Sequence, residues 1–122
     1  WRVLILPYLD EQELYDKYNF GEPWDSESNL SILTPMPRVF TCPSHNAAHE
    51  GTEFTSYVVV VGPHTCSPGV RGRPIQEIRD DPAYTVSLIE TDSTEIRWTE
   101  PRDIDLPSAI QLLNSTDPDL IG

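Results

Sequence analysis

The hydrophobic positions in the first 19 residues recur at the spacing of an α-helix. Four apolar residues can share one helical face: Leu6, Leu9, Leu14 and Tyr18. Pro7 has no amide hydrogen to donate, so we expect a break there and two short helices in place of one. Asp10 is the predicted N-cap of the second helix, which should run to Tyr18.

The pattern changes to that of β-strands between residues 54 and 98. Residues 56–61, Ser-Tyr-Val-Val-Val-Val, are largely β-branched and apolar on both faces, which is typical of a central strand. Residues 84–89 alternate and are predicted to pair with that strand. Residues 94–98 could close an antiparallel meander. The intervening residues 63–82 are rich in proline, glycine and charge and are predicted to form an excursion.

Prolines and a C-terminal helix complete the predicted architecture. Residues 20–53 contain four prolines and are predicted to form loops, with a short helix at residues 28–33. Residues 107–113 begin with proline and are followed by Asn114, which is typical of a helix. The sequence therefore predicts a loop-rich α+β fold in one globular domain over residues 1–122, with a small antiparallel sheet packed on the N-terminal helical segments.

The charge balance restricts the kinds of partner. The chain has 20 acidic and 8 basic side chains, and its formal net charge is −12. Phosphate contacts need clustered lysine and arginine, so this balance argues against binding to nucleic acid. It also disfavours an anionic membrane surface. It fits a self-repelling surface or one that takes up cations.

The start of the sequence predicts that this chain is a fragment. Trp1 opens an apolar run over residues 1–6, with no methionine and no polar lead-in. No stretch reaches the roughly 18 apolar residues of a membrane span, and no signal peptide is visible. We expect the natural N-terminus to lie upstream of Trp1.

Two tryptophan turns are the most informative local feature. Residues 23–26 read Pro-Trp-Asp-Ser, and residues 98–103 read Trp-Thr-Glu-Pro-Arg-Asp. A large ring can bury apolar area and dock a loop, which then holds the neighbouring carboxylates at fixed places. We expect these turns to form a surface for recognition or assembly, made of Trp24, Asp25, Trp98, Glu100, Arg102 and Asp103.

The catalytic templates do not match. There is no Gly-x-Ser-x-Gly elbow, so Ser56 and His64 are not a hydrolase pair. No glycine-rich phosphate loop precedes a helix. A two-carboxylate glycosidase stays open, because the required separation of roughly 5 to 9 Å is not readable from a sequence. The sequence therefore predicts no catalytic residues and a protein that is not an enzyme, with a hydrolase of unknown specificity as the third alternative.

The order of the motifs resembles one bacterial family. The residues that carry the resemblance are residues 1–10, Leu14-Tyr15, Tyr18-Asn19-Phe20, Pro23-Trp24-Asp25-Ser26, Met36-Pro37, Phe40-Thr41-Cys42-Pro43-Ser44, Thr55-Ser56-Tyr57, Val61-Gly62-Pro63 and Trp98-Thr99-Glu100-Pro101-Arg102-Asp103. Over nearly the whole chain they are similar to pilin-like, or pseudopilin-like, envelope proteins of unknown function. Members begin with a prepilin-type leader and a long apolar helix and end with a His-x9-Asp-Gly tail. Neither end is present in this sequence.

The resemblance implies a fold and a cellular role. The chain would be the globular head of an exported, pilin-like structural or adhesive subunit, tethered to the bacterial envelope through an upstream helix. Its partners would be like subunits or other envelope proteins, bound through that helix, with surface carbohydrate as a further candidate. The alternative is an extracytoplasmic module that binds carbohydrate or metal through the aromatic loops.

The two cysteines are consistent with an exported head, because disulfides persist outside the cytoplasm. Cys42 and Cys66 are the only cysteines of the chain. A disulfide between them would stabilise the fold by about 3 kcal/mol on the loop-entropy estimate. One buried and one free thiol is the alternative. A zinc site is another, because Cys42, His45, His49 and Cys66 are ligand types at close spacing.

Calcium is the other ion to consider, because it prefers six to eight oxygen ligands. If the two tryptophan turns meet, Asp25, Asp103 and Asp105 could supply part of that set. The chain has no Asp-x-Asp-x-Asp-Gly loop, so a solvated acidic face with local ion pairs is the favoured interpretation. We therefore expect no cofactor, with calcium as the candidate that stays open.

Overall fold

Short helices and a small three-stranded sheet make up the fold. The computed structural model describes residues 1–44, 53–91 and 94–114, and the predicted α+β class is confirmed. The contacts divide these residues into two compact units. Unit 1 contains the described residues of Trp1–Ser56 and Thr94–Arg102, and unit 2 contains those of Tyr57–Ser93 and Asp103–Gly122. Among the described helices, none has both the length and the apolar character needed to cross a membrane.

The N-terminal helical stretch of unit 1 breaks at the predicted proline. Helix α1 spans Arg2–Ile5, a 3₁₀ helix spans Leu6–Leu9 with Pro7 in its first turn, and helix α2 spans Gln12–Lys17. The prediction that Asp10 caps α2 is wrong. Asp10 adopts a left-handed conformation with φ of 60° and closes the 3₁₀ helix, because its amide bonds back to the Leu6 carbonyl. Helix α2 begins one residue later, after Glu11.

The loop-rich part of unit 1 contains the short helix expected there. Helix α3 spans Glu27–Leu30, and a 3₁₀ helix spans Arg38–Phe40. Ser26 is the N-cap of α3, and its hydroxyl accepts a hydrogen bond from the Asn29 amide at 3.2 Å. Isolated helices of this length are unstable in water, so their stability comes from tertiary packing.

The core of unit 1 joins residues from both ends of its sequence. Seven buried side chains form the cluster: Val3, Leu6, Ile32, Leu33, Met36, Phe40 and Trp98. Residues of the N-terminal stretch pack around it, among them Trp1, Leu9 and Tyr18. Burial of such side chains contributes about 1.5–3 kcal/mol each, which compensates for the weak local preference of these short helices.

Unit 2 contains a mixed sheet in the order β2-β1-β3. Strand β1 spans Tyr57–Val61 and is central, as predicted, with Val58 and Val60 buried. Strand β2 spans Leu88–Glu90 and pairs antiparallel, with Val58 opposite Ile89. Strand β3 spans Ile104–Asp105 and pairs in parallel, with Val60 opposite Ile104.

The predicted all-antiparallel meander is therefore wrong in two places. Residues 94–98 do not form the third strand; Arg97 makes only an isolated antiparallel bridge to Phe54, in unit 1. The strand predicted at residues 84–89 is shorter, because Pro82–Tyr84 form a 3₁₀ helix. The Asp81 carboxylate caps that helix by accepting a hydrogen bond from the Ala83 amide, which is a local alternative to sheet pairing.

Helix α4, Leu106–Leu113, confirms the predicted C-terminal helix with Asn114 at its end. Its N-cap is Asp105, whose carboxylate accepts a hydrogen bond from the Ser108 amide at 2.8 Å. Helix α4 packs against β1 and β3, and its Ala109 is buried. The helix on the sheet of unit 2 is thus the C-terminal one, whereas the N-terminal helices contribute to the core of unit 1.

Candidate functional site

Trp98 is a core residue and not part of the exposed surface. Its side chain is fully buried and stacks on Phe40, with ring centroids 5.7 Å apart and 17° between the ring planes. The indole Nε1 donates a hydrogen bond to the Leu33 carbonyl at 2.9 Å. The predicted surface is corrected at this position, because a ring buried on all sides anchors the turn from inside and cannot contact a partner.

The turn that follows Trp98, residues 99–102, is held by polar contacts within unit 1. The Glu100 carboxylate accepts hydrogen bonds from Arg102 Nε at 2.6 Å and from the Arg97 amide at 3.3 Å. Arg97 Nε pairs with the Glu53 carboxylate at 2.6 Å, and the Trp98 amide donates to the Glu53 carbonyl. The turn therefore presents Glu100 and the exposed Arg102 in a fixed arrangement.

Arg2 contributes a contact that the sequence analysis missed. Its side chain is buried, with the guanidinium 4.7 Å from the centroid of the Trp1 ring. Nη1 donates to the Glu100 carbonyl at 3.3 Å. One feature of the sequence could have indicated this contact, because Arg2 is the single charged residue in the apolar run of residues 1–6. A charged residue there needs a polar partner when the run is buried.

The ion pair in this turn changes the titration of its carboxylate. The hydrogen bond from Arg102 is the largest cause that holds the pKa of Glu100 below its ordinary value of 4.5. The bond from the Arg97 amide and the charges of both arginines act in the same direction, whereas desolvation opposes them. Conversely, the hydrogen bond to Glu100 raises the pKa of Arg102.

Glu100→Gln is expected to remove a pH-dependent part of the stability. Because the folded state lowers the pKa of Glu100, its ion pair stabilises the fold fully above pH 4.5 and loses that contribution as the pH falls through the lowered pKa. Arg102 is largely exposed, so we expect about 1 kcal/mol or less. Urea unfolding of both proteins between pH 7 and 3 measures this. A stability difference that stays constant over that range would contradict it.

The first tryptophan turn is organised by Asn29, a residue that the sequence analysis did not single out. The Asn29 side chain is fully buried. Its Oδ1 accepts from the Asn19 amide at 2.9 Å, and its Nδ2 donates to the carbonyls of Asn19 and Pro23 at 3.0 and 2.8 Å. Trp24 is half-buried beside this junction in the sequence, and Asp25 is exposed. The Asn29 amide group, together with the bond from the Ser26 amide to the Pro23 carbonyl, thus holds the start of the turn.

Both tryptophan turns attach to the same segment of unit 1, residues 26–33. Asn29, within α3, binds the backbone before Trp24, and the Leu33 carbonyl at the end of the segment accepts the Trp98 indole hydrogen. This segment therefore sets the backbone positions of both turns. Of the six residues predicted to form the surface, five belong to unit 1, whereas Asp103 belongs to unit 2.

Two of the three carboxylates considered for calcium, those of Asp103 and Asp105, have structural roles in unit 2. The Asp103 carboxylate accepts a hydrogen bond from the Val59 amide at 2.8 Å. Asp105 caps α4, and the hydrogen bond from the Ser108 amide lowers the pKa of Asp105. Asp25 lies in unit 1. In the three described stretches, no group of three or more His, Cys, Asp or Glu side chains is arranged to hold a metal ion.

The predicted disulfide is not confirmed. Cys42 and Cys66 are both free thiols, Cys42 buried and Cys66 half-buried. The Cys42 amide donates to the Ser56 hydroxyl at 3.1 Å, so that hydroxyl has a structural partner. Of the four zinc ligands considered, His45 and His49 lie outside the described residues.

The sequence analysis also missed a groove in unit 2, with a volume of about 570 Å³. Its lining includes residues of the predicted excursion, of the segment before β2 and of helix α4. Arg73 Nη2, on its edge, donates to the Pro63 carbonyl at 2.9 Å. No pattern of local sequence could have located this groove, because helix α4 comes to it from a part of the chain separate from the other lining segments.

Comparison with known proteins places the chain in a family. Residues 1–97 match the family described as "Protein of unknown function (DUF1559)". The matched range contains the Trp24 turn, residues 26–33 and strands β1 and β2. The comparison found no match among curated proteins and none among solved structures.

Proposed function

Since the chain belongs to the DUF1559 family of proteins of unknown function, we propose that it is the head of a pilin-like structural or adhesive subunit of the bacterial cell envelope. In this proposal the head is extracytoplasmic and acts without catalysis or a cofactor. A helix upstream of Trp1 tethers it to the membrane and contacts like subunits or other envelope proteins. Nucleic acid is not a partner.

One observation carries the proposal, namely the way in which the turn after Trp98 is anchored. The indole is buried against Phe40, and the ion pair of Glu100 and Arg102 lies at the outer side of the turn. The Glu100 carboxylate is engaged with Arg102 and with the Arg97 amide, both in the same unit. Residues used in this way fix the shape of a surface, and a shaped surface suits contact between macromolecules better than acid–base chemistry.

The experiment that tests this role uses the full-length gene product in its bacterial host. We expect a precursor that a prepilin peptidase shortens and that fractionates with the envelope. Deletion of that peptidase should leave the precursor uncut. A product that stays in the cytoplasm at the length encoded by its gene, with or without the peptidase, would contradict the proposal.

A carbohydrate-binding module is the second candidate, and one observation favours it. Phe20 is more than half exposed, and its ring lies 4.8 Å from the Tyr18 ring and 5.3 Å from the Tyr15 ring, measured between centroids. Aromatic faces of this kind can bind the apolar faces of sugars. The test is retention of the head on an insoluble polysaccharide. If the unaltered head is retained and the Phe20→Ala variant is not, this candidate is favoured over a structural subunit.

Calcium is expected to leave the melting temperature of the head unchanged. A ligand that binds only the folded state raises the melting temperature increasingly as its concentration exceeds its dissociation constant. Asp103 and Asp105 are already hydrogen-bonded to backbone amides, which leaves fewer free oxygens for an ion. Thermal unfolding with increasing calcium, and with magnesium as the control, measures this. A saturable increase specific to calcium would move the assignment to a metal-binding module.

A further inference from the structure

The groove of unit 2 combines a buried floor with exposed apolar walls. Val60 of the central strand lines it and is buried. Large side chains line it and remain exposed to solvent: Tyr84, Val86, Leu106, Ile110 and Leu113. Tyr84 has 88% of its surface exposed. Exposed apolar side chains gathered around a concave surface are typical of a binding site for another chain.

The charges at this groove differ from those of the whole chain. Arg73 and Arg79 line it together with Asp80 and Asp81, so the formal charges of these four residues cancel, whereas the chain carries −12. The Asp81 carboxylate is engaged with the Ala83 amide. Arg79 makes no hydrogen bond or ion pair to any described residue. An acidic protein therefore meets little repulsion here and finds an arginine available for pairing.

Unit 1 carries a surface of complementary character in its N-terminal stretch. Leu4 and Tyr8, four residues apart in consecutive helical turns, have 58% and 86% of their surfaces exposed. Asp10 and Glu13 follow them and are exposed. We call Leu4, Tyr8, Asp10 and Glu13 the N-terminal patch. It offers two exposed apolar side chains and, within five residues of Tyr8 along the chain, two exposed carboxylates.

We propose that the groove of unit 2 binds the N-terminal patch of a second copy of this chain. The inference rests on the proposed function in one respect, because a structural subunit needs contacts between its heads. Leu4 and Tyr8 cover the apolar walls, and an acid of the patch pairs with Arg79. The contact is heterologous, since each copy uses two different surfaces.

A second copy is the occupant that the charges favour. Two chains of net charge −12 repel each other over most approaches, so stable association requires a face where this repulsion is locally absent. The groove provides such a face, and the patch supplies both carboxylates and apolar area. Because the chain has only 8 basic residues, few places on it can balance nearby acidic charges, and the groove is one of them.

Sedimentation of the head over protein concentrations from about 10 µM to about 1 mM tests the contact. We expect reversible, concentration-dependent self-association. Arg79→Glu should weaken it at least about tenfold, because the substitution opposes the carboxylates of the patch. Tyr8→Ala should weaken it as well. Arg71→Glu is the matched control, since it makes the same change of charge at an exposed arginine of unit 2 that does not line the groove, and it should have little effect.

A charge exchange makes the test specific. Glu13→Arg alone should weaken self-association, and a mixture of the Arg79→Glu and Glu13→Arg variants should associate more tightly than either variant alone. Circular dichroism confirms that each variant is folded. A head that stays monomeric at the highest concentration, or an equal effect of Arg79→Glu and Arg71→Glu, would overturn the contact.

The outcome is separable from that of the proposed function. A precursor cut by the prepilin peptidase, together with a monomeric head, removes the contact and keeps the envelope subunit. Self-association that Arg79→Glu abolishes, together with an uncut cytoplasmic product, keeps the contact and removes the envelope role. Association that neither Arg79→Glu nor Tyr8→Ala affects would place the interface elsewhere and overturn the inference.

Discussion

Trp98→Ala is expected to lower the free energy of unfolding by about 3–5 kcal/mol. The substitution opens a cavity in the core of unit 1, removes the stacking on Phe40 and leaves the Leu33 carbonyl without its indole donor. A loss of this size is a large fraction of the stability of a small domain. Urea unfolding followed by far-UV circular dichroism measures it without relying on the removed fluorophore.

Two further variants separate the causes. Trp98→Phe keeps an aromatic ring but loses the Nε1 donor, so we expect a smaller cost of about 1–2 kcal/mol. Trp24→Ala, at the half-buried ring of the other turn, should cost about 1–2 kcal/mol. If Trp24→Ala were as destabilising as Trp98→Ala, the distinction between an internal anchor and a partly exposed ring would be wrong.

Asn29→Ala is expected to lower the free energy of unfolding by about 2–4 kcal/mol, although the residue lies in a helix of only four residues. The substitution removes the acceptor of the Asn19 amide and one donor to each of the Asn19 and Pro23 carbonyls, which keep their bonds from the Glu22 and Ser26 amides. The cost arises because a fully buried side chain that makes three hydrogen bonds is lost and a cavity is left in its place. Chemical unfolding of the variant measures the loss.

The isosteric variant Asn29→Asp sharpens this prediction. The carboxylate keeps an acceptor for the Asn19 amide but turns an oxygen towards the two carbonyls that Nδ2 now contacts. We expect Asn29→Asp to be at least as destabilising at pH 7 as Asn29→Ala. The control is Asn19→Ala, which removes an exposed bond to the Gly21 amide and a side-chain hydrogen bond with the exposed Glu22, and should cost about 1 kcal/mol or less. Equal losses for Asn19→Ala and Asn29→Ala would show that Asn29 does not organise the turn.

These two predictions bear on function because both concern the segment that attaches the tryptophan turns. In the proposed subunit, residues 26–33 would determine whether the turns keep their shape on contact with a partner. A variant such as Trp98→Phe, folded but less stable, should therefore lose partner binding at lower temperature than the unaltered head. The groove of unit 2 offers a separate surface, whose residues can be changed without touching that segment.

Several elements were predictable from the sequence because local chemistry determines them. Pro7 lacks an amide hydrogen, and the chain turns from α1 into a 3₁₀ helix there. Four consecutive valines favour extended backbone, and they form most of the central strand β1. Pro107 and Asn114 bound helix α4. Each of these rules acts through atoms within a few residues, so the sequence contains the whole cause.

Other elements were decided only by tertiary structure. Strand β3 pairs with β1 in parallel, more than 40 residues away, and replaces the strand predicted at residues 94–98. The two tryptophans look alike in sequence, yet Trp98 is buried in the core and Trp24 is only half-buried. Asn29 and Arg2 acquire their roles from distant carbonyls at Pro23 and Glu100.

The physical reason for this division lies in the range of the interactions. The sequence by itself determined where the N-terminal helices break and which strand is central. The burial of side chains, the direction of strands and the formation of the groove depend on which distant segments pack together. The free energy of that packing is shared among many side chains. No local pattern encodes such a sum, so the anchors of the turns and the groove became visible only in the folded chain.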